Sequence, residues 1–100
     1  MRKTIHTESV ELLFDAISTL KTKEEYYAFF GDLCTVNEVL SLAQRITVAQ
    51  KLEEGSTYLE VTNITGASTA TISRVNRMLN DGTDGLKTAL ERIKEQGKTV

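Results

Sequence analysis

The sequence predicts an all-α fold of six helices. Three observations predict it: the 100 residues include no proline, apolar side chains recur at spacings of three and four along most of the chain, and three segments open with a Thr-x-x-Glu pattern. With 40% hydrophobic residues the chain can build one modest core, so a single domain over residues 1–100 is expected.

Over residues 8–21, Val10, Leu13, Phe14, Ile17 and Leu20 fall on one helical stripe. Thr22 and Glu25 then form a capping box, in which hydroxyl and carboxylate satisfy orphan amides at a helix start. The second helix follows, with Tyr26, Phe29, Phe30 and Leu33 on one side and Gly31 near its end. At helical spacing Tyr26, Tyr27, Phe29 and Phe30 are expected to be core and not a base-stacking platform.

Thr35 and Glu38 make a second box, and Val39, Leu42, Ala43, Ile46, Ala49 and Leu52 carry the longest stripe as far as Gly55, which offers a stop. A third box, Thr57 and Glu60, opens a helix of about two turns bearing Leu59, Val61 and Ile64. After Thr65-Gly66-Ala67, Ser68 is a good N-cap for residues 69–80, whose apolar side is Ile72, Val75 and Leu79. Asp81-Gly82 ends that helix. Thr83 or Asp84 caps the last one, whose stripe is Leu86, Ala89, Leu90 and Ile93.

The formal net charge of -2 argues against indiscriminate phosphate binding and leaves room for a locally basic surface. Cys34 is the only cysteine and His6 the only histidine, so one chain assembles neither a transition-metal cluster nor a Cys-His catalytic pair, and no enzyme is expected. No apolar run approaches the roughly 20 residues of a membrane span, and charges recur through the first residues where a signal peptide would be apolar. A soluble cytoplasmic protein is expected.

Two short helices joined by a tight turn with a central glycine form a helix-turn-helix, a unit whose second helix can enter the major groove of DNA. Residues 57–80 fit this form, with Gly66 supplying the permissive backbone and Val61, Ala67, Ile72 and Val75 expected to pack the two helices together. Ala70, Ser73 and Arg77 then point away from the apolar stripe, flanked by Thr69 and Arg74. Small side chains allow close backbone approach, hydroxyls bond bases or phosphates, and arginine pairs with guanine or phosphate. The expected DNA-binding residues are Ser68, Thr69, Ala70, Thr71, Ser73, Arg74 and Arg77.

Leu42-x-x-Arg45, Leu52-x-x-Gly55 and the string Gly66-Ala67-Ser68-Thr69-Ala70-Thr71-Ile72-Ser73-Arg74 together resemble the Trp repressor family, in its YerC/YecD-like branch. The resemblance spans about residues 33–90, and the order of six helices extends it over most of the chain. It implies an intertwined homodimer, with helices one, two, three and six building a shared core and helices four and five projecting as reading heads. Such a dimer engages successive major grooves about 34 Å apart on a pseudo-palindromic operator, as a repressor of transcription in the bacterial cytoplasm and nucleoid. Sharing also suits so short a chain, whose four amphipathic stripes bury poorly alone.

The family's tryptophan corepressor lies between two arginines, whose positions fall here on Arg45 and Arg74, and near a hydroxyl that Thr35 matches. Val75 stands where the tryptophan-binding members have glycine and Met78 where they have a small hydroxyl residue. The interval from Gly55 to Gly66 is one residue shorter as well. The added bulk narrows the pocket, so a different small-molecule corepressor or none is expected in place of tryptophan. Arg45 equally suits pairing with neighbouring carboxylates at the edge of its helix.

Mixed charges at Lys87, Glu91, Arg92, Lys94, Glu95 and Lys98 mark a solvated helix face, and Arg2 and Lys3 could form a short phosphate-touching arm. The competing function is a dimeric helical protein-interaction module that does not touch DNA, for which the acidic balance speaks.

Overall fold

A computed structural model describes residues 4–97, and Arg2, Lys3 and Lys98 lie outside the described residues. Six helices follow one another: α1 (Glu8–Ser18), α2 (Lys23–Leu33), α3 (Val36–Glu53), α4 (Tyr58–Thr65), α5 (Thr69–Asp81) and α6 (Gly85–Glu95). The chain divides into two compact units, Met1–Val39 and Leu40–Val100.

In the first unit the helix starts follow local chemistry. Thr7, a cap the stripe pattern did not reveal, accepts the Val10 amide at 3.2 Å. Thr22 accepts the Glu25 amide at 3.2 Å, while the Glu25 carboxylate reaches past the cap to the Lys21 amide at 3.2 Å, so this box closes one residue early. Thr35 and Glu38 form theirs reciprocally, at 3.1 and 2.8 Å.

No described residue of this unit is buried. Tyr27 is 81% exposed, Phe14 52% and Leu12 69%, while Phe29 and Phe30 are half-buried in edge-on contact with centroids 5.2 Å apart. The expectation that the aromatic residues of α2 are core therefore fails within one chain. Fewer than 40 residues cannot enclose rings of this size, and burying them requires another apolar surface.

The second unit has a core: Val48, Ala49, Val61, Ala67, Ile72, Val75, Leu79 and Leu90, with Ile46, Leu52 and Leu86 packed against it. Each large aliphatic side chain buried here contributes roughly 1.5–3 kcal/mol. Val61, Ala67, Ile72 and Val75 are all within it, as the spacing predicts. The stripe expected on α3 needs correction, because Val48, absent from that stripe, is fully buried while Leu42 is 49% exposed. α3 carries apolar residues on more than one face, and only one face meets this core.

Two glycines in the left-handed region shape the chain around α4. Gly55 (φ 90°) closes α3, with the Ser56 amide bonded to the Lys51 carbonyl and its own to Leu52, both at 3.0 Å. Gly66 (φ 73°, ψ 5°) ends α4 and donates its amide to the Thr62 carbonyl at 2.8 Å. The last junction departs from expectation: Asp84 stands at the N-cap of α6 but is itself left-handed (φ 66°), and its side chain caps nothing.

Candidate functional site

The α4–turn–α5 unit is assembled from strong local signals. Thr57 and Glu60 form a complete capping box, Thr57 Oγ1 accepting the Glu60 amide at 3.2 Å and Glu60 Oε1 accepting the Thr57 amide at 2.8 Å. These bonds to the Thr57 backbone and then its side chain hold the Glu60 carboxyl below the usual carboxylate range. Glu38 is lowered by the same arrangement with Thr35.

A carboxyl whose pKa is lowered on folding adds stability that is present above its unfolded pKa and lost as pH falls through the folded value. The urea midpoint should therefore drop between about pH 7 and about pH 3. Glu60→Gln keeps an accepting oxygen without the charge and should show a smaller drop than the wild type. Equal drops in both proteins would remove Glu60 from this balance.

Only three residues separate α4 from α5. Gly66 turns the chain, Ala67 is buried (2% exposed) beside Ile72, and Ser68 caps α5 by accepting the Thr71 amide at 3.2 Å. The three residues that sink α5 into the core, Ile72, Val75 and Leu79, leave its other side free. Thr69, Ala70, Ser73, Arg74 and Arg77 are all exposed, so the face expected from the helical wheel is the face presented to solvent.

The remaining two expected residues are partly committed. Ser68 is exposed, but its hydroxyl both accepts the Thr71 amide and donates to Thr71 Oγ1 at 3.1 Å, and Thr71 is half-buried. Arg74 and Arg77 make no ion pair among the described residues. Over residues 57–80 the only charges are Glu60, Arg74 and Arg77, which gives +2 - 1 = +1 against a chain total of -2. Asp81, the last residue of α5, brings the whole α4–turn–α5 unit to no net charge, so its cationic character is confined to Arg74 and Arg77.

Of the second set, Thr35 lies in the first unit, and Arg45 and Arg74 lie on α3 and α5 of the second. Arg74 lines an open hollow with Arg77, Met78, Asp81 and Gly82, and Arg45 is not among its walls. Arg45 is exposed and pairs with no carboxylate among the described residues, so the ion pair considered for it is not formed. Of the two bulky replacements, Met78 stands at the hollow while Val75 is in the core, 1% exposed.

One contact has no counterpart in the expected sites. Gln44 of α3 donates from Nε2 to the carbonyl of Thr65, the last residue of α4, at 3.2 Å. A polar residue on α3 carries no local sequence signal that its partner lies 21 positions away.

An all-α chain that sets a short helix of small, hydroxyl-bearing and cationic residues outward beyond a turn anchored by one buried alanine has a defined class among known proteins. The profile of the Trp repressor protein family matches residues 8–94, and the chain belongs to that family, in its YerC-like branch. It is 56% identical over 88 residues to the uncharacterized protein YerC of Bacillus subtilis (strain 168), covering 88% of this chain and 85% of YerC. Among solved structures it is similar to a TrpR-like protein from Eubacterium eligens ATCC 27750, at 56% identity and a TM-score of 0.87, covering 90% of this chain and 93% of that one. A candidate Trp repressor from Staphylococcus aureus is 49% identical with a TM-score of 0.86, at 90% coverage of both chains.

Proposed function

We propose that this protein is a sequence-specific DNA-binding regulator of transcription, acting as a repressor. In this reading a homodimer presents two copies of α5 to successive major grooves of a pseudo-palindromic operator. The observation that carries the reading is the exposed face of α5, with two arginines that form no ion pair among the described residues beside Thr69, Ala70 and Ser73, on a helix anchored from behind by Ile72, Val75 and Leu79. Membership of the Trp repressor family supports it.

Dimerisation is supported by what the first unit leaves uncovered. Leu12, Phe14, Tyr27 and Val36 are exposed apolar residues on helices with no buried residue or, for Val36, at the start of α3. A second copy is the occupant that family membership suggests, and a shared core would bury these side chains in place of water. The bulk of Met78 at the hollow that Arg74 lines supports a regulator with a different small-molecule corepressor or none in place of tryptophan.

Arg77, near the outer end of the presented face, is assigned to phosphate. Arg77→Ala should weaken binding to every DNA sequence to a similar extent and reduce the slope of log affinity against log salt by about one unit per head. Fluorescence anisotropy at several salt concentrations, with promoter DNA from the protein's own genome, reads both quantities. Unchanged affinity and slope would take Arg77 out of the interface.

A further inference from the structure

We propose that Gln44 is a positioning residue, a latch that sets the orientation of the α4–turn–α5 head on α3 and thereby the fit of α5 to its target. This rests on the DNA-binding reading of α5. Among the described residues, Gln44 to Thr65 is the only side-chain hydrogen bond joining positions more than four apart. The head is otherwise held by apolar packing of Val48, Val61, Ile72 and Val75, which is strong but non-directional. A single partly buried amide–carbonyl bond supplies the direction.

The acceptor is well placed to transmit that constraint. The Thr65 carbonyl is one of the orphan carbonyls at the end of α4, so the bond from α3 also satisfies a helix terminus. The hydroxyl of the same residue donates to the Val61 carbonyl at 2.7 Å and accepts the Ala67 amide at 3.1 Å. Ser68, the next residue, caps α5. Hydrogen bonds therefore run from α3 to the end of α4 and into the turn as far as the Ala67 amide, one residue before the cap of α5, and all of them pass through Thr65.

The test compares wild type with Gln44→Met, which keeps the length of the side chain and removes the donor, and with Gln44→Glu, which sets a carboxylate oxygen against the carbonyl. Residual dipolar couplings of backbone amides give the orientation of α5 relative to the second half of α3 without DNA. Anisotropy titrations give the ratio of affinities for operator and scrambled DNA. Both variants should keep wild-type helix content by circular dichroism, shift the α5 couplings, and lose about tenfold in the operator-to-scrambled ratio, while affinity for scrambled DNA stays close to wild type. α5 couplings that fit the wild-type orientation in both variants would overturn the latch, and so would an unchanged ratio. A wild type with no preference for any operator, together with reoriented α5 in the variants, would sink the DNA-binding reading and leave the latch standing.

Discussion

Ile72→Ala will cost about 2–5 kcal/mol of folding stability, the range for truncating a fully buried aliphatic side chain where the surroundings cannot collapse. Ile72 is 0% exposed and is the largest of the fully inaccessible side chains, ahead of Val48, Val61 and Val75. It sits one turn into α5, so its loss removes the anchor nearest the exposed Thr69, Ala70 and Ser73. A domain of this size has only about 5–15 kcal/mol to lose, so the head should fray or the whole chain unfold at moderate urea. Ile72→Val should cost only about 0.5–1.5 kcal/mol. Urea denaturation at one fixed protein concentration reads both, and a cost below about 1 kcal/mol for alanine would mean that the α4–α5 core is held elsewhere.

Arg74→Glu with Arg77→Glu will abolish DNA binding while leaving the fold intact. Each arginine contact to a base or phosphate is worth about 1–3 kcal/mol, and glutamate adds repulsion, so the doubly substituted head should lose at least about a hundredfold in affinity. Both side chains are exposed and neither forms an ion pair among the described residues. Glutamate is also as good a helix former as arginine, so circular dichroism and the urea midpoint should stay near wild type. Loss of binding together with loss of helix content would instead assign these residues to stability.

The parts of this structure that were legible in the sequence are those governed by neighbours three or four positions away. Thr57 with Glu60 and Ser68 before Thr71 mark the starts of α4 and α5 because their bonds are local, and the stripe of Ile72, Val75 and Leu79 fixes which side of α5 is free. Long-range facts were not legible. Val48 is buried although it lies off the stripe drawn on α3, because that helix is apolar on more than one face and periodicity cannot say which face meets α4 and α5. The aromatic residues of α2 read as core, yet Tyr27 is open, because pattern reports a need for burial and not its partner.

Asp84 illustrates a different limit. Its residue type favours an N-cap, but a left-handed backbone at φ 66° turns its carboxylate away from that role, and aspartate tolerates this conformation better than most residues.

In the proposed function α5 reads DNA sequence as one of a symmetric pair. Selection of bound duplexes from a random-sequence pool tests it most directly, with wild-type protein and the Arg74→Glu, Arg77→Glu variant run side by side. A two-fold-symmetric motif with half-site centres about 10 base pairs apart should be enriched by the wild type and not by the variant. No enriched motif, or the same motif recovered with both proteins, would contradict it.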